Sequence, residues 1–195
     1  AHGDPKVMRA SEVIGRQVKH MTALVDDLLD ASRVTRGLVE LDKEPVDIRA
    51  VVSSAVEQAR PLVQAKSHSL IVENNTSDLI VLGDRVRLVQ IITNLLNNAA
   101  KYTPERGEIV LHVSRQADRA CIEVVDNGIG IGPELLPHVF ELFTQAQRTP
   151  DRSQGGLGIG LALVKTMVHL HGGEVKAASS GAGAGSKFTV QLPTV

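Results

Sequence analysis

Up to Gly37 the apolar residues of this chain return every seven positions, and beyond Leu38 the period changes. Val7, Ile14, Met21 and Leu28 mark the repeat, with Val18 and Val25 at the complementary heptad spacing. One narrow seam along a helix of this length is what another helix packs against. Asp26, Asp27, Asp30 and Arg33 read as its solvated face, and Gly37 as its stop. Such a helix needs a partner, and the chain itself need not contain it.

The remainder alternates short strands with helices. Strands are expected near 39–42, 69–73 and 79–82, the last two separated by a polar turn. A hairpin is expected over 109–114 and 120–126, and two closing strands near 174–178 and 187–192. Asp47 can cap a helix to about 66 and Asp84 a second to about 101, while a third spans 160–171. The sum is an α+β sandwich, a mixed but mostly antiparallel sheet with helices on one face, preceded by one long coiled-coil-type helix. The domain division expected is 1–38 and 39–195. Within the second part, glycines and prolines crowd a stretch too long for an idle connection, so 133–157 reads as a lid. Its segment 144–155 has few apolar anchors and is expected to be mobile without ligand.

Composition narrows the partners. Aromatic residues make up 2% and Trp is absent, so the core must be aliphatic. A net charge of −1 makes no electrostatic case for nucleic acid or an anionic membrane. The single cysteine, Cys121, rules out a disulfide framework and reads as a small core residue. No apolar run reaches the length of a membrane span, so a soluble, cytoplasmic piece is expected, which leaves its parent free to be membrane-anchored elsewhere.

Three constellations carry chemistry. Gln90, Asn94 and Asn98 share one face of the second helix, with Lys101 a turn on. A neutral amide oxygen suits Mg²⁺ when phosphates supply the other ligands, although a solvated stripe would look alike. Asp126-Asn127-Gly128-Ile129-Gly130-Ile131-Gly132 follows a strand. A carboxylate there can accept the exocyclic amine of adenine, and the glycines admit a ligand to the backbone; a plain Asp-Asn-Gly turn is the alternative. Gly155-Gly156-Leu157-Gly158-Ile159-Gly160-Leu161 opens a helix, where N–H groups favour phosphate. It is neither a Walker loop nor a dinucleotide fingerprint, and a flexible hinge is its rival.

In order along the chain, these motifs resemble those of the sensor histidine kinases. Asn94-Leu-Leu-Asn-Asn98-Ala-Ala-Lys101-Tyr102-Thr103 resembles the N box, and Asp126 to Gly132 the first glycine box. Phe140-Glu-Leu-Phe143 resembles the F box and Gly156 to Leu161 the second glycine box. His171-Gly172-Gly173 and Gly185-Ser-Lys-Phe188 match as well. Leu24-Val-Asp-Asp-Leu28-Leu-Asp-Ala-Ser32-Arg33 resembles the second helix of the dimerisation hairpin. The resemblance implies the Bergerat ATP-binding fold, ATP and Mg²⁺ as ligands, and the following roles. Asn98 matches the Mg²⁺-binding Asn, and Lys101 and Tyr102 match residues that contact phosphate and flank the nucleotide. Asp126 matches the adenine-binding Asp. Gly128, Gly130 and Gly132 match the loop that hugs the nucleotide, and Gly156, Gly158 and Gly160 the phosphate turn. Ser186 matches a hydroxyl that reaches adenine through water. Asn94, Ile131, Phe143, Leu157 and Leu161 belong to the same implied site, with Phe140 and Phe143 anchoring the lid. Arg148 and Arg152 in the lid read as free solvated arginines.

In ATP-hydrolysing cousins the residue four before the Mg²⁺ Asn is a water-activating Glu; here it is Asn94, which has no usable basicity. The family's acceptor is a His followed by an acidic residue, and none of the seven histidines here is so followed. The implied partners are therefore an acceptor helix upstream, a second copy in a homodimer, and a response regulator. Two rivals are an anti-sigma-type serine kinase of the same fold and a non-catalytic nucleotide-binding module. The heptad helix weighs against the first, and the full set of Asn98, Asp126 and both glycine boxes against the second.

Overall fold

The computed structural model describes residues 40–145 except 75 and 77, residues 157–195, and from the N-terminal stretch 7–9, 11, 14–15, 17–18, 21–22, 25, 28–29 and 32. The chain divides into two compact units, Ala1–Val39 and Glu40–Val195. In the first, the described residues are helical, and Val7, Ile14, Val18, Met21, Val25 and Leu28 are each more than half exposed. The heptad positions of this unit thus bury nothing within it.

In the second unit the elements are β1 (Glu44–Asp47), α1 (Ile48–Ala65), β2 (Ser69–Asn74), β3 (Ile80–Gly83), α2 (Arg85–Tyr102), β4 (Glu108–Gln116) and β5 (Arg119–Asp126). A 3₁₀ turn (Leu136–His138), α3 (Gly160–Leu170), β6 (Glu174–Ala178) and β7 (Ser186–Pro193) follow. The main sheet runs β2-β4-β5-β7-β6, with β2 parallel to β4 and every other pair antiparallel. Helix α2 packs between α1 and α3, and the helices cover one face of the sheet. The α+β sandwich expected from the sequence is the fold observed.

Both helix caps were legible. Asp47 accepts the Arg49 N–H at 2.9 Å, and Asp84 accepts those of Val86 and Arg87 at 3.0 and 3.1 Å, satisfying N–H groups that a helix start leaves open. Apolar residues alternate on β4 (Ile109, Leu111, Val113) and β7 (Phe188, Val190, Leu192), and their inward faces meet Leu88, Ile92, Leu95 and Leu96 of α2 in an aliphatic core. Burying each such side chain stabilises by about 1.5–3 kcal/mol. Cys121 is a buried strand residue, and burial pushes its thiol up.

One strand expectation needs correction. Residues 40–42 form no strand, and the first strand lies at Glu44–Asp47 instead, despite Pro45. It pairs with β3 as a separate two-stranded sheet. The lid expectation for 144–155 falls outside the described residues except at Thr144 and Gln145, as do Arg148, Arg152 and Gly156.

Candidate functional site

Strand β5 ends at Asp126, and its register with β7 sets that residue opposite Ser186. Ser186 Oγ donates to Asp126 Oδ2 at 2.5 Å, and the Gly128 N–H donates to Oδ1 at 2.8 Å. Asp126 is only 7% exposed, and a carboxylate so buried is costly unless it is hydrogen-bonded. The two bonds offset that cost, and each carboxylate oxygen keeps a further lone pair for another donor. Ser186, expected to reach a base through water, is bonded to Asp126 directly.

Asp126 lies at the floor of an open cavity of about 80 Å³. Ile129, Ile131, Leu135, Val139, Leu161 and Phe188 give it apolar walls. Asn98, Tyr102, Thr144, Gln145 and Ser186 add polar groups, and Gly130 completes the loop side. A few polar groups converging in an apolar cleft is the usual constitution of a small-molecule site.

The loop after β5 is held on both sides. The Ile129 N–H donates to the Tyr102 carbonyl at 3.1 Å, and the Gly183 N–H donates to the Ile129 carbonyl at 2.7 Å. At Gly130 the backbone has φ +70°, and a Cβ there would overlap the Gly181 carbonyl. Gly132 has open space where its Cβ would be. Ser179, which sequence reasoning missed, accepts the Ile131 N–H at 2.9 Å and donates to the Gly185 carbonyl at 2.7 Å. Its signal was the Ser179-Ser180-Gly181 turn cluster.

Helix α2 splits its amide stripe. Asn98 reaches the cavity. Asn94 and Gln90 line a groove between α1 and α2 instead, and Asn94 Nδ2 makes no hydrogen bond among the described residues. Asn94 also lies 3.9 Å from where a Gly160 Cβ would stand, at a helix start that no side chain caps. Lys101 does not line the cavity; its ammonium sits 4.7 Å from the Tyr102 ring centroid. The last turn of α2 is fixed from outside by two residues the sequence did not single out. Lys66 Nζ donates to the Lys101 carbonyl at 2.7 Å, and His68 Nε2 donates to those of Thr103 and Pro104 at 3.2 and 3.0 Å.

The site therefore gathers Asn98, Tyr102, Asp126, Gly130, Ile131, Leu161 and Ser186. Asn94, Lys101, Gly128, Gly132, Leu157, Gly158 and Gly160 stand outside the cavity lining, and Gly156 outside the described residues. Phe143 is 63% exposed, with φ +65°. Its backbone N–H donates to the Gly158 carbonyl at 3.0 Å, against a glycine with φ +72°. Phe140 packs edge-on to Phe188, with ring centroids 6.2 Å apart.

Residues 83–195 match the family described as histidine kinase-, DNA gyrase B- and HSP90-like ATPases, and the chain belongs to that family. Within it the chain is the ATP-binding catalytic domain of a sensor histidine kinase. It is 34% identical over 227 residues to hybrid signal transduction histidine kinase D of Dictyostelium discoideum, covering 99% of this chain and 15% of that protein. It is 37% identical over 179 residues to the autoinducer 2 sensor kinase/phosphatase LuxQ of Vibrio cholerae, covering 90% of this chain and 21% of that one. The chain thus spans less than a quarter of the length of either relative. The full-length ShkA structure in complex with AMPPNP superposes with a TM-score of 0.82 at 27% identity, over 100% of this chain and 40% of that one. No helix among the described residues is long and apolar enough to cross a membrane.

Proposed function

We propose that this domain holds Mg-ATP and delivers its γ-phosphoryl group to a histidine on a helix that precedes it in the parent protein, for relay to a response regulator. The observation that carries the reading is the Asp126 carboxylate, buried and hydrogen-bonded on the floor of an apolar cavity whose wall also holds Asn98. A fixed acceptor oxygen at that floor favours the 6-amine of adenine and repels the 6-carbonyl of guanine. The apolar walls take the faces of the ring, with Tyr102 beside them.

Asn98 is the proposed Mg²⁺ ligand. No group of three or more His, Cys, Asp or Glu stands together among the described residues, so phosphate and water oxygens would make up most of the coordination. The ion supplies charge neutralisation at the phosphates. The protein's own part is positioning: Asp126 fixes the base, and the uncapped start of α3 offers N–H groups to the phosphates. Asn94 stands where a water-activating carboxylate would act and cannot take a proton from water, so the phosphoryl group is kept for the histidine.

The exposed heptad positions of the N-terminal unit fit pairing with the acceptor helix and with a second copy in a homodimer. We place the domain on the cytoplasmic side of its parent, where ATP is. The test is calorimetry followed by phosphorylation. The chain should bind ATP in preference to GTP and should not label itself from radioactive ATP, whereas a chain extended upstream through the acceptor helix should. The label should survive alkali and be lost in acid, as a phosphoramidate requires. Equal affinity for ATP and GTP, or label on the short chain, would sink this reading.

A further inference from the structure

At the end of α2 the carbonyls of Lys101, Tyr102, Thr103 and Pro104 are each taken by a group from another part of the chain. Lys66 Nζ donates to the Lys101 carbonyl at 2.7 Å and reaches that of Thr103 at 3.4 Å. His68 Nε2 donates to the carbonyls of Thr103 and Pro104 at 3.2 and 3.0 Å. The Tyr102 carbonyl goes the other way and accepts the Ile129 N–H at 3.1 Å. Tyr102 is thus held between two anchors. The α1–β2 connection takes the carbonyls on either side of it, and the loop after Asp126 takes its own. A helix end leaves its last carbonyls open, and a cation there also complements the helix dipole. Water would satisfy those carbonyls at a surface, yet Lys66 is half-buried. Burial lowers the pKa of its ammonium, an effect that Glu105 opposes and Lys101 reinforces. A charge placed at that cost has a use beyond capping, and the residue it brackets, Tyr102, lines the cavity.

We propose that Lys66 and His68 are positioning residues for nucleotide binding: from outside the cavity they fix the peptides on either side of Tyr102, and so hold its ring in the cavity wall and its carbonyl against the Asp126 loop. Neither side chain lines the cavity, so both act through Tyr102 and touch no ligand. The inference rests on the nucleotide reading above and adds to it a clamp built from the α1–β2 connection. Tyr102 is the chain's one tyrosine and Trp is absent, so tyrosine emission reports this side chain alone.

Acrylamide quenching of that emission without nucleotide, and calorimetry with ATP, test the clamp on the whole chain. In Lys66→Met, which keeps the stem and removes the donor, Tyr102 should be quenched more readily than in the parent. ATP affinity should fall about threefold to tenfold, the scale of one hydrogen bond. Lys66→Arg should recover most of both. Lys43 is a matched control, because its Nζ donates to the Leu170 carbonyl at the end of α3 at 2.7 Å. Lys43→Met should leave quenching and ATP affinity as in the parent, whatever it costs in urea stability. If Lys66→Met does not fold, His68→Phe is measured in its place, with the same two changes expected. A folded variant that keeps the parent's quenching or the parent's ATP affinity overturns the clamp, and so does Lys43→Met changing both to the same extent. Failure of the unsubstituted chain to bind ATP overturns the nucleotide reading itself, and the role of the clamp in binding falls with it.

Discussion

The two ends of the site are built differently. At the proposed base-reading end the polar groups of the loop are engaged: Asp126 by Gly128 and Ser186, Ile129 by Tyr102 and Gly183, Ile131 by Ser179. At the other end, among the described residues, Asn94 Nδ2 has no protein partner, α3 starts without a side-chain cap, and Gly132 has open space where a Cβ would stand. Burial explains the contrast. A dry carboxylate must be hydrogen-bonded before any ligand arrives, because leaving it unpaired would cost several kcal/mol. Phosphates arrive with their own charge and water, so groups that meet them can stay unpaired at the solvent edge. On the proposed reading, the difference makes the adenine end a preformed lock and leaves the phosphate end to be completed by its ligand.

The largest effect that would break this comparison lies within one loop. Gly130→Ala should destabilise the fold by about 2 kcal/mol or more, since it combines a left-handed backbone with a side chain overlapping the Gly181 carbonyl. Gly132→Ala should leave stability within about 0.5 kcal/mol and show any loss only in ATP affinity. Urea unfolding of both variants measures the pair. Similar destabilisation by the two would mean that the loop is not held more tightly at its base-reading end.

Asp126→Asn comes next. Its amide can still accept from Gly128 and donate to Ser186, whose hydroxyl turns to accept, so the fold should survive. One of its orientations then sets a donor against the adenine amine, and ATP affinity should fall by about 1–3 kcal/mol. Calorimetry at equal protein stability decides this; unchanged affinity would remove Asp126 from base recognition. Asn98→Ala should weaken ATP binding only when Mg²⁺ is present, and a loss equal with and without Mg²⁺ would deny it the metal.

The sequence disclosed this site in proportion to how local its signals are. Asp47 and Asp84 are caps because a carboxylate next to a helix start needs no distant partner. The β4–β5 hairpin and the Asp126 loop are likewise contiguous. The parallel pairing of β2 with β4 and the β1–β3 ribbon join segments dozens of residues apart, and no local pattern encodes them. At Phe143 the backbone is left-handed and its N–H meets the Gly158 carbonyl, a contact that no local pattern encodes. Leu135, Val139 and Phe188 line the cavity, yet in sequence they are indistinguishable from core. Lys66 and His68 hold the end of α2 across 35 residues, a link visible only once the fold brings them together.

The smallest expected effect is in pH, and it acts at the start of α2. His171, 6% exposed, donates from Nδ1 to the Met167 carbonyl at 2.7 Å and accepts the Asp84 N–H on Nε2 at 3.0 Å. It thereby ties the end of α3 to the residue that caps α2. Burial holds its pKa below the usual histidine value, with nearby Lys43 acting the same way, while the Met167 bond and Asp84 oppose the shift. Protonation would place a second donor against the Asp84 N–H and loosen that tie. Because the folded pKa is depressed, the unfolded chain takes up the proton first. Stability from this group is therefore complete above about pH 6.5, the ordinary histidine value, and declines as pH falls below it. His171→Gln can keep an acceptor for Asp84 but cannot titrate, so it should be less stable than the parent at neutral pH and lose stability less steeply on acidification. Urea midpoints measured from pH 8 to pH 5 on both proteins test this, and parallel curves would show that His171 contributes nothing to the acid sensitivity of the fold.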